Sequence, residues 1–193
     1  YYTYQISIAM VNKKILFLVL LVVTCFYSGC ISPLERVFST SDVSGIVKSR
    51  YGYKNQNSYT HKYLNASIKA LPLIITTGTF KNSDKQFTEI EFKVYNKKQP
   101  INYKYIELFN SKGDKWEWEV YPKHKKIKKE RHFIIESYRI RIDSQVKELL
   151  KFFKDKTIYL KFIGDVNNFK KLDEKHRDSL LEVLKYANYL YNP

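Results

Sequence analysis

Apolar and polar positions alternate with a period of two through the middle of the chain. Ile90, Phe92 and Val94, for example, alternate with charged side chains. Such alternation predicts strands that bury one face and expose the other, as in antiparallel sheets. Because the phase changes within residues 101–109, we expect a β-bulge there. The predicted strands cover residues 71–80, 87–95, 101–109, 115–121, 132–142 and 157–163.

Two segments show the helical spacing of three to four residues instead. The first carries Val146, Leu149 and Phe153 and follows Asp143, a residue type that caps helix N-termini. The second begins near Asp173 and is amphipathic. The chain therefore predicts an α+β fold, with an antiparallel β-meander or sandwich-like sheet, one short internal helix and a C-terminal amphipathic helix. The apolar face of that last helix comprises Leu180, Val183, Leu184, Ala187 and Tyr191.

The region before the strands has a different character. Residues 31–63 are rich in Ser, Thr, Asn and Gln and show no sustained period. We expect a flexible tether from residue 30 to residue 63, followed by a globular domain at residues 64–193.

The first 30 residues contain the pattern of a cleaved leader. Lys13 and Lys14 precede 13 uncharged residues, 15–27, and small residues follow. As a helix this apolar run spans about 20 Å, which is short for a hydrocarbon core of about 30 Å. We expect translation to start at Met10, with residues 1–9 read from upstream, unless the start codon is unusual or the chain is a fragment. An uncleaved membrane anchor is the alternative to a leader.

Residues 26–30, with the sequence FYSGC, resemble the lipobox of bacterial lipoproteins. In that family the bond before the Cys is cut and its thiol is lipidated. The resemblance implies a signal peptide at residues 10–29, cleavage between Gly29 and Cys30, and a membrane lipid on Cys30. Tyr27 stands where the family usually has Leu. With Cys25 in the leader and Cys30 blocked, no thiol would remain for a disulfide, a metal or a nucleophile.

The composition extends this resemblance. The chain is rich in Lys, Asn and Tyr, with 17 Tyr, and has a polar tether. In these respects and in its lipobox it is similar to surface lipoproteins of spirochaetes of the Borrelia type. The resemblance implies a lipid-anchored protein of the outer membrane and cell surface, although an anchor facing the periplasm is also open.

The chain is strongly basic, with a formal net charge of +15. The leader removes only Lys13 and Lys14, which leaves +13. Such a field attracts acidic glycans, acidic proteins or anionic lipid, whereas nucleic acid is not an expected partner of an exported domain. Residues 123–132 concentrate the charge and form a predicted hairpin tip, which is either a polyanion site or a solvated loop that protects a sheet edge. The candidate site residues are Lys123, Lys125, Lys126, Lys128, Lys129 and Arg131.

Catalytic and metal-binding patterns are not evident in the sequence. The four His residues are scattered, and no pair has the three-to-five spacing of a zinc site. Glu117 and Glu119 share one strand face, but acid–base work on a glycosidic bond also needs a cleft. Trp116 and Trp118 likewise share a face and predict either core packing or a stacking platform. We therefore predict no catalytic residue, metal or cofactor, although a pocket joining Glu117, Glu119 and a His would favour an enzyme.

Two functions follow from these expectations. The first is a surface-exposed binding module on a lipid anchor, with an acidic glycan or protein as its partner. The second is an envelope component that faces the periplasm and serves structure or assembly through another protein.

Overall fold

The computed structural model describes residues 45–49, 54–66, 70–97 and 99–191. All of them belong to one compact unit, Val43–Pro193. The predictions for residues 1–9, for the leader at residues 10–29 and for the bond between Gly29 and Cys30 lie outside the described residues.

Ten antiparallel strands form two sheets in the described part of the chain. The strands of the larger sheet, sheet A, are β1 (Ile46–Lys48), β2 (Gln56–His61), β3 (Leu73–Phe80), β4 (Gln86–Asn96), β7 (Lys125–Lys129) and β8 (Ile134–Arg141). They lie in the order β1-β2-β3-β4-β8-β7. The strands of the smaller sheet, sheet B, are β5 (Tyr105–Asn110), β6 (Lys115–Glu119), β9 (Ile158–Ile163) and β10 (Asn168–Lys171). They lie in the order β10-β9-β5-β6.

Helices are few in the described residues. They are α1 (Lys62–Ala66), α2 (Val146–Phe152) and α3 (Glu174–Tyr191), with single 3-10 turns at Pro122–His124 and Asp143–Gln145. The last helix begins where the sequence predicts, and Asp173 caps it, since the His176 N–H donates to Asp173 Oδ1 at 2.8 Å. Antiparallel sheets, a short internal helix and a C-terminal helix confirm the predicted α+β class.

One face of sheet A is apolar and packs against α3. Leu73 and Ile75 on β3 lie directly opposite Phe92 and Ile90 on β4, and all four are fully buried. His176 of α3 reaches this face, where its Nε2 lies 2.6 Å from the Leu73 carbonyl oxygen. We call this the helix face of sheet A, and the other the charged face.

Sheet B completes the same core. The Trp118 ring packs on Phe92 of sheet A at 5.1 Å between centroids. Trp116 stacks on Trp118 at 5.9 Å, and Trp118 is only 9% exposed. Of the two alternatives for this Trp pair, the structure shows core packing.

The predicted boundary between tether and domain is wrong. Strands β1 and β2 lie within residues 30–63, and β2 pairs with β3 in sheet A. The buried positions of β2 are polar, namely Gln56, Ser58 and Thr60, so the strand has no apolar period. Thr60 compensates for its burial by donating from Oγ1 to the Ile75 carbonyl at 2.7 Å.

Two local predictions also need correction. Residues 101–104 are a loop before β5 rather than the start of a bulged strand, and Asn102 takes a positive φ of 53°. Asp143 does not cap α2. Its Oδ1 instead accepts hydrogen bonds from the Thr88 N–H at 2.6 Å and from the Tyr191 hydroxyl at 2.9 Å, which ties β4 to α3.

Candidate functional site

The basic run folds mostly as an edge strand rather than as a hairpin tip. Strand β7 pairs with β8, so that Lys125 lies opposite Tyr138 and Lys126 opposite Ser137. Because successive side chains of a strand point to opposite faces, Lys125 points to the helix face and Lys126 to the charged face. The predicted site is therefore divided between the two sides of sheet A.

Lys125 belongs to a buried polar cluster. Its Nζ lies 3.1 Å from Glu136 Oε2, and the two side chains are 11% and 1% exposed. The Glu136 carboxylate also accepts hydrogen bonds from the backbone N–H groups of Ile101 and Asn102. The Lys125 ammonium lies 5.0 Å from the centroid of the Tyr103 ring. This cluster fastens the 101–104 loop to sheet A, which is a structural role.

The charged face of sheet A carries interleaved acidic and basic side chains. Arg139 of β8 lies between two carboxylates of β4, at 3.5 Å from Glu89 and 3.2 Å from Glu91. Lys93 pairs with Glu91 at 3.4 Å. Burial raises the pKa of the Glu89 carboxyl even though Arg139 opposes the shift. Burial likewise lowers the pKa of Lys93.

Arg141 occupies the end of this face. Its guanidinium donates to the Gln86 carbonyl at 3.1 Å and to the Asp143 carboxylate. It also lies 5.6 Å from the centroid of the Phe80 ring. Three different contacts therefore hold the guanidinium in place.

A cleft of about 220 Å³ opens on this face, and we call it the charged cleft. The 3-10 turn and β7 contribute the basic side chains on one side, and β4 and β8 provide the floor. No acidic side chain among the described residues lies within ion-pair distance of Lys123 or Lys126. The charged lining residues are Lys123, Lys126, Arg139, Arg141, Glu89 and Glu91, and His124 lines the cleft beside them.

The structure thus places the predicted site residues in different surroundings. Lys123 and Lys126 line the cleft, whereas Lys128 pairs with Glu130 at 2.5 Å. Lys129 and Arg131 are exposed and lie outside the cleft lining. Arg139 and Arg141 were not among the candidates predicted from the sequence. Their only signal was alternation with Tyr138 and Ile140, which is equally typical of a solvated strand face.

The carboxylates singled out in the sequence lie elsewhere. Glu117 and Glu119 are exposed on β6, and Glu117 pairs with Lys115 at 2.9 Å. The cleft that contains His124 is lined by Glu89 and Glu91 instead. Within the described residues, no group of three or more His, Cys, Asp or Glu side chains is placed to hold a metal ion.

Comparison with family models, with curated proteins and with solved structures found no match to this chain. In the part of the chain that the structure describes, no helix has both the length and the apolar character needed to cross a bilayer.

Proposed function

We propose that this protein is a bacterial lipoprotein, anchored through Cys30, whose domain binds an acidic glycan in the charged cleft. The observation that carries the proposal is the convergence of Lys123 and Lys126 with Arg139 and Arg141 in one concave site. These residues come from the 3-10 turn, β7 and β8, so the fold itself builds the concentration of positive charge.

The ion pairs on this face support the choice of an anion. Glu89 and Glu91 are already engaged by Arg139, which leaves the ammonium groups of Lys123 and Lys126 for a ligand. Sulfate or carboxylate groups on a sugar suit such donors because charge-assisted hydrogen bonds are the stronger ones. The engaged carboxylates still repel negative charge, so they weaken rather than strengthen the binding of an anion.

The lipid anchor has independent support in the leader and the FYSGC segment. Two or three acyl chains hold a protein durably, because each buried methylene contributes about 0.8 kcal/mol. The proposed location is the outer membrane with the domain at the cell surface.

Heparin chromatography of the full chain tests the cleft. We expect the double variant Lys123→Ala/Lys126→Ala to elute at markedly lower salt than the wild type. The control is Lys147→Ala/Lys151→Ala, which removes the same charge from exposed positions of α2. Equal elution of the two double variants would mean that only net charge matters, and the cleft would be rejected. A poly-glutamate column shows whether an acidic polypeptide is retained in place of the glycan.

Labelling cells with radioactive palmitate tests the anchor. The wild type should incorporate label and Cys30→Ala should not. Protease treatment of intact cells then tests the side of the membrane, since only a domain at the surface is digested. Protection of the domain would favour the envelope component that faces the periplasm.

A further inference from the structure

Three aromatic rings meet on the side of sheet B that faces away from the core. Phe109 of β5 lies opposite Tyr159 of β9, with their ring centroids 5.1 Å apart and their planes at 22°. Phe169 of β10 joins them at 5.3 Å from Tyr159 and 5.8 Å from Phe109. We call these three rings the aromatic cluster.

The exposure of this cluster is unusual for residues of this size. Phe169 is 57% exposed, and Phe109 and Tyr159 are half-buried. Their chain neighbours Leu108 and Leu160 point the other way and are fully buried in the core. The core of the domain is therefore complete without the cluster, and an apolar surface is left in contact with water.

A row of paired charges borders the rings. Glu107 bridges two lysines, at 2.6 Å from Lys115 and 3.5 Å from Lys161, and Lys115 also pairs with Glu117 at 2.9 Å. The hydrogen bond from Lys115 lowers the pKa of the Glu107 carboxyl. The four groups sum to zero charge, and the same face carries one further charge of each sign, Lys171 opposite Tyr159 and Glu119 opposite Tyr105, so the face stays neutral, in contrast to the basic cleft on sheet A.

We propose that the aromatic cluster and this row form a binding site for an uncharged saccharide. A pyranose ring with equatorial hydroxyls presents an apolar C–H face, which packs on aromatic rings, and a hydroxyl rim, which needs both donors and acceptors. Paired carboxylates and ammonium groups supply both kinds of partner without a net field. A polyanion gains nothing from a neutral border, and so the balance of charge selects the uncharged sugar.

Isothermal titration of the full chain with cellotetraose and tetra-N-acetylchitotetraose, two uncharged oligosaccharides, tests this site. We expect at least one of them to bind, and Phe169→Ala to weaken that binding about five- to tenfold. Phe169→Trp should retain it, because the larger ring preserves the stacking surface. Tyr189→Ala is the matched control, since Tyr189 is a similarly exposed aromatic residue on α3.

Binding of these oligosaccharides should not depend on the charged cleft. Lys123→Ala/Lys126→Ala should leave oligosaccharide binding unchanged while it weakens retention on heparin. Absence of binding by both oligosaccharides would overturn the saccharide proposal, as would an equal loss in Phe169→Ala and Tyr189→Ala. Neither result would affect the proposed function of the cleft.

Discussion

Lys125 and Lys126 are neighbours in the chain, yet they belong to different regions of the molecule. Lys125 lies on the helix face of sheet A, where it pairs with the buried Glu136. Lys126 lies on the charged face and lines the cleft. Two identical residues thus have a structural and a proposed binding role, because one step along a strand reverses the direction of the side chain.

The same contrast separates the acidic residues of the two faces. Glu136 accepts backbone N–H groups as well as Lys125, so its charge is matched by donors on a fixed loop. For Glu89, the cost of burial outweighs the attraction of Arg139 at 3.5 Å, and this raises the pKa of its carboxyl. The charge pair of Lys125 and Glu136 on the helix face therefore fastens the 101–104 loop to sheet A, whereas burial makes the ionised form of Glu89 on the charged face unfavourable.

The largest loss of stability is expected for Glu136→Ala. This change leaves Lys125 and two backbone N–H groups without their acceptor, and should lower the free energy of unfolding by about 3–5 kcal/mol. Urea denaturation measures it. Glu119→Ala, at an exposed position of β6, should stay within about 0.5 kcal/mol of the wild type. An unchanged midpoint in Glu136→Ala would contradict a structural role for this carboxylate.

A smaller loss in the free energy of unfolding is expected for Lys125→Met. The Glu136 carboxylate keeps its backbone donors, so the cost should be about 1–3 kcal/mol. The matched change on the next residue, Lys126→Met, should stay within about 0.5 kcal/mol but weaken retention on heparin. If both variants lost the same stability, the two faces would not differ as the pairing of β7 with β8 requires.

On the helix face, His176 should make stability depend on pH. The ring is 2% exposed, and burial lowers its pKa, with Nε2–H donating to the Leu73 carbonyl. Above the unfolded pKa of about 6.5 its contribution is complete, and it is lost as the pH falls through the lower folded value. His176→Asn should therefore show a shallower loss of stability on acidification. If the wild type and His176→Asn lost the same stability at each pH, the ring of His176 would not be the source of the pH dependence.

On the charged face, Glu89 should make stability depend on pH in the opposite direction, so that stability rises on acidification. Because its folded pKa is raised, the ionised carboxyl costs stability, and this cost disappears as the pH falls toward the unfolded value of about 4.3. Glu89→Gln should be more stable than the wild type at neutral pH, by less than about 0.5 kcal/mol, and equal to it in acid. The variant should also bind heparin more tightly. Weaker binding would show that the ligand needs this carboxylate.

Much of the fold could be predicted because several strands have one apolar and one polar side. Residues 87–95 and 132–142 correspond to β4 and β8, and the helix predicted from Asp173 corresponds to α3. β2 was missed because its buried residues are polar. β10 was also missed, since its one apolar residue, Phe169, is exposed.

The site was predicted only in part. Lys123 and Lys126 were identified from local charge density, which is visible in one short segment. Arg139 and Arg141 enter the cleft through the pairing of β8 with β7 and β4, which links residues distant in the chain. The aromatic cluster has the same origin, since its three rings come from three strands.

The sequence by itself determined the α+β class, the amphipathic C-terminal helix and the basic character of the residue 123–132 run, because periodicity and charge are properties of a continuous segment. Only the tertiary structure decided which lysine is buried and which arginines join the cleft. Burial depends on what packs against a side chain. For Lys125 that partner is Glu136, on a neighbouring strand and bonded to the 101–104 loop.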